Sequence, residues 1–134
     1  MPTVYAIITQ LDHSASSAET RGHRLTIDRP EAKGGQNKGP MGGEALLMGL
    51  GGCFMSTLLA AAKARDIELR DTRAEIAGEL ADDAPPRYVA IHMTISGHAE
   101  PASQMKKLVT IAERGCIVAN TLRQALPLTV TCAE

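Results

Sequence analysis

Alternating apolar and polar positions indicate two long strands in the middle of the chain. Apolar or small side chains recur at every second position within residues 68–80, and the same period returns in residues 88–96. The connecting residues 81–86 contain two aspartates and two prolines, which favour a turn. We therefore predict an antiparallel hairpin with one apolar face.

A helical pattern occupies residues 44–65, which are rich in alanine, leucine and methionine and carry no charge from Ala45 to Ala62. The segment approaches the length of a transmembrane helix, but its glycines and hydroxyl residues dilute its hydrophobicity, so we predict a core helix surrounded by protein on all sides. Gly49 and its neighbouring glycines at positions 51 and 52 each weaken such a helix by about 1 kcal/mol relative to alanine. Close approach of a symmetric partner helix would compensate, and a kinked or late-starting helix is the alternative.

Shorter runs predict the elements before this helix. Residues 3–8 and 24–28 have the β-branched or apolar composition of strands. Residues 28–44 are rich in glycine, proline, asparagine and lysine, which predicts a mobile loop.

The last third of the chain is predicted to hold two helices and a strand. Residues 101–113 have the spacing of an amphipathic helix, and a second helix is predicted over residues 117–125, after a glycine that favours a helix stop. Residues 128–132 predict a final strand. The resulting order, ββ–α–ββ–αα–β, predicts a single α+β domain over residues 1–134.

Charge and composition exclude several classes of partner. The chain of 134 residues has a formal net charge of −1 and only 2% aromatic residues, so we expect neither nucleic acid nor a membrane surface as a partner. The first residues lack a basic region followed by an apolar run, so we expect a cytoplasmic protein. In that reducing compartment, paired cysteines more often serve transient redox chemistry or metal binding than a lasting disulfide.

The three cysteines are the candidate chemistry of the chain. Cys53 lies within the uncharged helix and Cys116 lies in an Arg-Gly-Cys turn, whereas Cys132 continues an apolar alternation and is interpreted as a packing residue. The chain has no Cys-x-x-Cys motif and its histidines lack the spacing of metal ligands, so we predict no metal site and no cofactor. Two thiols that the fold brings together would suggest a reactive cysteine with a resolving partner.

The positions of Cys53 and Cys116 within their helices indicate different acidities. Cys53 lies well inside its helix, beyond the reach of the helix dipole, and so needs a cation from elsewhere to form a thiolate. Cys116 precedes a predicted helix and follows Arg114, which is the better thiolate environment. Position alone therefore favours Cys116 as the nucleophile. The alternative for either cysteine is a buried, inert side chain.

Several segments resemble the OsmC/Ohr family. Residues 43–53, a glutamate followed by a leucine-rich turn and a cysteine, resemble the central helix of that family, and residues 114–120 resemble its second cysteine segment. The order of elements and the Pro-Arg entry to the second long strand at residues 86–87 are similar as well. Residues 20–25 resemble the shorter OsmC-like branch more than the organic hydroperoxide resistance branch.

This resemblance implies an OsmC-like α+β fold, in which antiparallel sheets wrap two central helices of an intertwined homodimer. Both cysteines would then lie near the subunit interface, with Cys53 as the peroxidatic thiol and Cys116 as the resolving thiol. Peroxidatic members reduce organic hydroperoxides, so the implied function is a thiol-dependent peroxidase that forms a Cys53–Cys116 disulfide. A dithiol reductant, such as the dihydrolipoyl groups that serve related proteins, would reset it. The alternative is a non-catalytic OsmC-like protein that binds a small apolar ligand at the dimer interface.

The resemblance also implies residues that assist the thiols. Glu44 would be the acid that holds a catalytic arginine, although an acid in the first turn of a helix is also stabilised by the helix dipole. Arg24 is our candidate for that arginine, with Arg21 and Arg87 as alternatives, and each of the three could instead be a solvated strand residue. An apolar pocket that includes Met48 and Met55 would favour organic peroxides over hydrogen peroxide.

Overall fold

The computed structural model describes residues 1–124 and 126–132. The chain forms two compact units, Met1–Leu46 and Leu47–Glu134. Small antiparallel sheets and three helices give the predicted α+β class, which is confirmed. The two units are described in turn.

The amino-terminal unit contains a three-stranded antiparallel sheet. Its strands β1 (Ile7–Gln10), β2 (Ser16–Thr20) and β3 (His23–Ile27) pair in chain order. Arg21 and Gly22 join β2 to β3 with φ angles of 50° and 83°, the positive values that a two-residue hairpin turn requires. Strand β3 lies where it was predicted and β1 begins later than predicted. Strand β2 was not predicted, because its Ser-Ser-Ala-Glu-Thr sequence has no apolar alternation.

A buried carboxylate organises the segment that follows β3. Asp28 is 2% exposed and accepts backbone N–H groups from Arg29, Gln36 and Lys38 at 2.7, 3.1 and 3.2 Å. Burial alone would raise the pKa of Asp28, but these hydrogen bonds, together with one from the Ser14 hydroxyl, hold that pKa below its usual value. The segment predicted to be a mobile loop therefore follows a defined, hydrogen-bonded path.

The second unit contains most of helix α1 (Gly42–Ala64), the strands β4 (Glu68–Leu80) and β5 (Tyr88–Glu100), and the helices α2 (Met105–Gly115) and α3 (Ile117–Arg123). Strands β4 and β5 form the predicted antiparallel hairpin. The strand predicted over residues 88–96 ended too early, because β5 continues to Glu100. The helix predicted over residues 101–113 began too early, because a short 3-10 turn precedes α2. Ala125, the last residue of the helix predicted at 117–125, lies outside the described residues.

The final strand predicted at residues 128–132 is wrong, because residues 126–132 have no regular structure. Leu128 and Val130 in this segment are 84% and 92% exposed. An apolar alternation becomes a strand only when a neighbouring strand accepts and donates its backbone hydrogen bonds. Within the described part of one subunit, no such neighbour pairs with this segment.

The core of the second unit forms where one face of α1 meets α2, α3 and the hairpin. Phe54 and Leu58 from α1 and Leu108 from α2 are fully buried there. Partly buried side chains from β4 and β5, such as Ile76 and Met93, pack against them. Burial of this face explains why α1 is apolar, since each fully buried large side chain contributes about 1.5–3 kcal/mol.

The prediction that α1 is surrounded by protein on all sides is wrong for one subunit. Its Leu46, Met48 and Leu59 side chains are 41%, 56% and 48% exposed. The helix is long and apolar enough to cross a membrane by length and composition alone, a test that the core helix of a soluble protein also passes. One face of α1 belongs to the core, and the other face is uncharged and exposed.

The glycines of α1 divide between these two faces. A methyl group at Gly51 would lie 2.6 Å from Cδ1 of Ile76 on β4, so a larger residue there would require the end of the Ile76 side chain to move. A methyl group at Gly49 or Gly52 would have no other heavy atom of the subunit within 4 Å, apart from its own helix backbone and chain neighbours. Contacts within the subunit therefore explain Gly51 but not Gly49 or Gly52.

Candidate functional site

Two cysteines meet where α1 packs against the junction of α2 and α3. Cys53 is half-buried at the edge of the core, and Cys116 is fully buried between the two later helices. The thiol of Cys116 lies close enough to donate a hydrogen bond to the sulfur of Cys53. Cys132 is exposed, so the prediction that it packs against apolar neighbours is wrong within one subunit.

The local sequence explains the bend at Cys116. Gly115 ends α2, and the backbone of Cys116 is extended, with φ −79° and ψ 112°, before α3 begins. Asn120 stabilises the bend with two hydrogen bonds. Its backbone N–H donates to the Cys116 carbonyl and its side-chain amide donates to the Arg114 carbonyl, each at 3.0 Å. We call residues 114–120 the elbow. These bonds hold the buried thiol in a fixed direction.

The first residues of α3 stabilise a thiolate at Cys53. The largest effect is a hydrogen bond from the backbone N–H of Val118, which burial partly opposes. The thiol of Cys116 and the N–H of Ile117 add to it, so the pKa of Cys53 lies below that of an ordinary thiol. All these donors are uncharged and come from the elbow. The pKa of Cys53 is therefore lowered by groups other than the cation that its place in α1 had indicated.

Burial has the opposite effect on the second thiol. It is the main cause that raises the pKa of Cys116, although an N–H group from Ala119 opposes it. The hydrogen bond that the Cys116 thiol donates to Cys53 and the negative charge of the Cys53 thiolate raise the pKa of Cys116 further. Cys53 is thus the more acidic of the two, and the opposite order predicted from their helix positions is wrong. The prediction failed because the N–H groups that follow Cys116 point to Cys53.

Glu44 caps the start of α1. Its Oε1 accepts the backbone N–H of Met41 at 2.8 Å, and the Met41 carbonyl accepts the N–H of Ala45 at 2.9 Å. A side chain that reaches back in this way from the third helical position is one half of a capping box. Among residues 1–46, this bond to Met41 is the polar contact of Glu44, and no arginine there pairs with it.

The three candidate arginines each take part in a hairpin. Arg24 on β3 lies 3.4 Å from Glu19 on β2, and its side chain is 74% exposed. Arg21 forms part of the β2–β3 turn. In the second unit, Arg87 lies 3.1 Å from Asp83 in the turn between β4 and β5. Each arginine therefore has a local structural role.

The N–H groups of Ile117 and Val118, which lower the pKa of Cys53, were not predicted from the sequence, and neither was the contact of Thr57 with the Cys53 backbone. The hydroxyl of Thr57 donates to the carbonyl of Cys53 at 2.9 Å. A signal for the N–H groups was present, since the first N–H groups of any helix lack partners within that helix and must bond elsewhere. No comparable signal in the sequence indicates Thr57.

The surroundings of Cys53 and Cys116, which we call the dithiol, limit the other kinds of chemistry available to the site. Met48 is 56% exposed and Met55 is partly buried against the core, so the predicted apolar pocket is not enclosed by a single subunit. Among the residues that the structure describes, no group of three or more His, Cys, Asp or Glu side chains could hold a metal ion. The arrangement fits chemistry in which sulfur itself is oxidised and reduced.

An α+β fold with two thiols in hydrogen-bond contact defines a class of dithiol proteins. The family model described as OsmC-like protein matches residues 35–131, which is most of the chain. The chain therefore belongs to the OsmC-like protein family, and the family resemblance noted from the sequence is confirmed. No curated protein matches the chain.

Solved structures share the fold. An OsmC-like protein from Mycoplasma pneumoniae is 20% identical with a TM-score of 0.79, covering 91% of this chain and 88% of its own. An osmotic stress induced and detoxification response protein from Psychrobacter arcticus is 20% identical with a TM-score of 0.76, covering 90% and 89%. An organic hydroperoxide resistance protein OsmC from Legionella pneumophila is 21% identical with a TM-score of 0.61, covering 92% and 90%. At these identities the likeness shows the fold alone.

Proposed function

We propose that the protein is a thiol-dependent peroxidase that reduces organic hydroperoxides. The observation that carries this proposal is the hydrogen bond between Cys53 and Cys116, in which the pKa of Cys53 is lowered and that of Cys116 is raised. Two-step peroxide reduction needs a nucleophilic thiolate beside a second, protonated thiol. The organic hydroperoxide resistance protein among the solved structures supports this substrate class.

In the first step, the Cys53 thiolate attacks the terminal oxygen of the hydroperoxide. An S–O bond forms, the O–O bond breaks, and the leaving alkoxide takes up a proton from water to become an alcohol. Cys53 is then a sulfenic acid, with sulfur oxidised by two electrons and the peroxide reduced by two.

In the second step, the sulfur of Cys116 attacks the sulfenic sulfur of Cys53. The S–S bond forms, and the hydroxyl group leaves with the Cys116 proton as water. The order of steps follows from the electrostatics, because the negative charge on Cys53 is one cause of the raised pKa of Cys116. That charge disappears when the sulfenic acid forms, so the resolving thiol becomes easier to deprotonate only after peroxide has reacted.

A dithiol then returns two electrons and two protons to the Cys53–Cys116 disulfide. We propose a dihydrolipoyl group as one such reductant. A reducing cytoplasm would supply dithiols and keep the resting site reduced, so we also propose a cytoplasmic location.

We propose Arg24 as the cation that assists the leaving alkoxide, with Glu44 as the acid that holds it. The donors around Cys53 that lower its pKa are uncharged, so a cation would add stabilisation that these N–H and S–H groups do not supply. The pair between Arg24 and Glu19 is exposed, and exposed ion pairs contribute little to stability, so the arginine can leave it. Arg21 and Arg87 remain the alternatives.

We propose that the active form is a homodimer in which the exposed face of α1 meets its symmetric copy. Gly49 and Gly52 on that face have open space around them, although glycine costs up to about 1 kcal/mol per position in a helix interior. A partner backbone at close range would explain both glycines. It would also cover the exposed Met48 and enclose the apolar surroundings of the dithiol.

Turnover with excess dithiol tests the proposal. Cumene or tert-butyl hydroperoxide should be consumed faster than hydrogen peroxide, because Cys53 packs against the apolar core of the second unit. Cys53→Ser should abolish turnover, and Arg24→Ala should slow it more than Arg21→Ala or Arg87→Ala. Cys132→Ser is the matched control and should turn over normally. Retained activity in Cys53→Ser would move the nucleophile elsewhere.

A second candidate is a non-catalytic OsmC-like protein that binds a small apolar ligand at the dimer interface. It is favoured by the local partners of the arginines, since Arg24 pairs with Glu19 and Arg87 pairs with Asp83. It requires the same fold but no assisting cation. A protein that binds an apolar fluorescent probe while leaving organic hydroperoxides unconsumed would support this candidate.

A further inference from the structure

Thr57 links Cys53 to the elbow. Its hydroxyl donates to the carbonyl of Cys53, one turn earlier in α1, at 2.9 Å. Its methyl group faces Gly115, the residue before Cys116, and a methyl group built on Gly115 would lie 3.1 Å from Cγ2 of Thr57. That separation is tighter than most contacts between such atoms. We propose that Thr57 and Gly115 form a positioning contact that sets how closely the elbow approaches the sulfur of Cys53.

Space rather than backbone conformation favours glycine at position 115, because a methyl group there would push the Thr57 side chain or the elbow away by a few tenths of an ångström. Gly115 is the last residue of α2, and it is not among the glycines with positive φ. Alanine would therefore fit its backbone and is the better helix former. On propensity alone, Gly115→Ala should stabilise the protein, so any defect in that variant reports the contact with Thr57.

The contact matters because the groups that bond to Cys53 move together. The thiol of Cys116 and the N–H groups of Ile117 and Val118 all belong to the elbow. Hydrogen bonds weaken as the donor and acceptor separate and lose alignment. A small outward displacement of the elbow would thus weaken all three bonds and increase the distance between the two sulfurs. Where turnover is concerned this inference rests on the proposed function, but for thiol acidity it stands independently.

The test measures Gly115→Ala alone and in combination with each of two substitutions of Thr57. Alkylation of Cys53 by iodoacetamide is followed by peptide mass spectrometry across a pH series, so Cys116 and Cys132 do not interfere. In Gly115→Ala, the midpoint of Cys53 alkylation should move to higher pH, and the rate at neutral pH should fall by about two- to tenfold, since partial weakening of three hydrogen bonds adds up to about the loss of one.

Rescue separates positioning from general damage. Thr57→Ser in the Gly115→Ala background removes the crowded methyl group and keeps the hydroxyl, so it should restore the wild-type pH profile. Thr57→Val keeps a methyl group and removes the hydroxyl, so it should leave the defect in place. If Gly115→Ala alone fails to fold, the Thr57→Ser double variant should fold and show wild-type reactivity.

An unchanged alkylation profile in Gly115→Ala would overturn the inference. A defect that Thr57→Ser does not rescue would overturn it as well. Because alkylation consumes no peroxide, a protein that gives the expected profiles without reducing peroxide would support the positioning contact and contradict the proposed peroxidase.

Discussion

Replacing Cys116 separates its two proposed roles, as a hydrogen-bond donor to Cys53 and as the resolving thiol. Cys116→Ser keeps a hydroxyl donor but has no thiol, whereas Cys116→Ala has neither. The N–H groups of Val118 and Ile117 remain in both variants, and the bond from Val118 is the largest cause of the lowered pKa of Cys53. Both variants should therefore still react once with peroxide.

The size of the difference between the variants follows from one hydrogen bond. A single hydrogen bond contributes about 0.5–1.5 kcal/mol, and 1.4 kcal/mol corresponds to about a tenfold change in an ionisation equilibrium. Below the midpoint of the Cys53 titration, Cys116→Ala should thus react about two- to tenfold more slowly than Cys116→Ser. Because Cys116 is 0% exposed, its truncation to alanine should also reduce the free energy of unfolding by about 1 kcal/mol.

Stopped-flow measurement of the first reaction with cumene hydroperoxide, at several pH values, gives these rates. Mass spectrometry after excess peroxide should find sulfinic and sulfonic acid at Cys53 in both variants, because nothing resolves the sulfenic acid. A loss of the first reaction in Cys116→Ser well beyond that range would refute the reasoning, as would a Cys53 that resists further oxidation.

Two further predictions concern assembly and acid stability. Light scattering should find about twice the chain mass of 14.2 kDa, because the proposed partner covers the exposed face of α1, and a folded monomer at micromolar concentration would contradict the proposed interface. The carboxyl of Asp28 has a lowered pKa in the folded protein, so its stabilisation is present above the unfolded value of about 4 and is lost as the pH falls through the folded value. Asp28→Asn should lack this contribution, and urea titrations between neutral and acidic pH should show a weaker pH dependence than in the wild type. Equal pH dependence in the two proteins would show that Asp28 does not anchor its loop.

Long periodic segments were predictable from the sequence, whereas short or partner-dependent ones were not. Helix α1 and the β4–β5 hairpin were predicted because their patterns run over many residues. Strand β2 was missed because its side chains carry no alternation and its pairing with β1 and β3 defines it. The strand predicted at residues 128–132 failed for the converse reason, since its alternation is clear but no neighbouring strand pairs with it within the described part of one subunit.

The sequence identified Cys53 and Cys116 as the candidate site, but it did not predict which of the two has the lower pKa. Cys53 and Cys116 stood out through their sequence context and family resemblance. Their relative acidity depends on where the N–H groups of Val118 and Ile117 point, which only packing of the elbow against α1 decides. Thr57 was not predicted for a similar reason, because the role that we propose for it depends on its proximity to Gly115.

The most direct measurement of the central claim is peptide mass spectrometry of the reduced protein after one equivalent of cumene hydroperoxide. The account predicts a peptide pair joined through Cys53 and Cys116 that has lost two hydrogens, with Cys132 still a thiol and one equivalent of alcohol released. Both thiols remaining reduced, with the peroxide unconsumed, would contradict the peroxidase, and a disulfide through Cys132 would contradict the assigned pair.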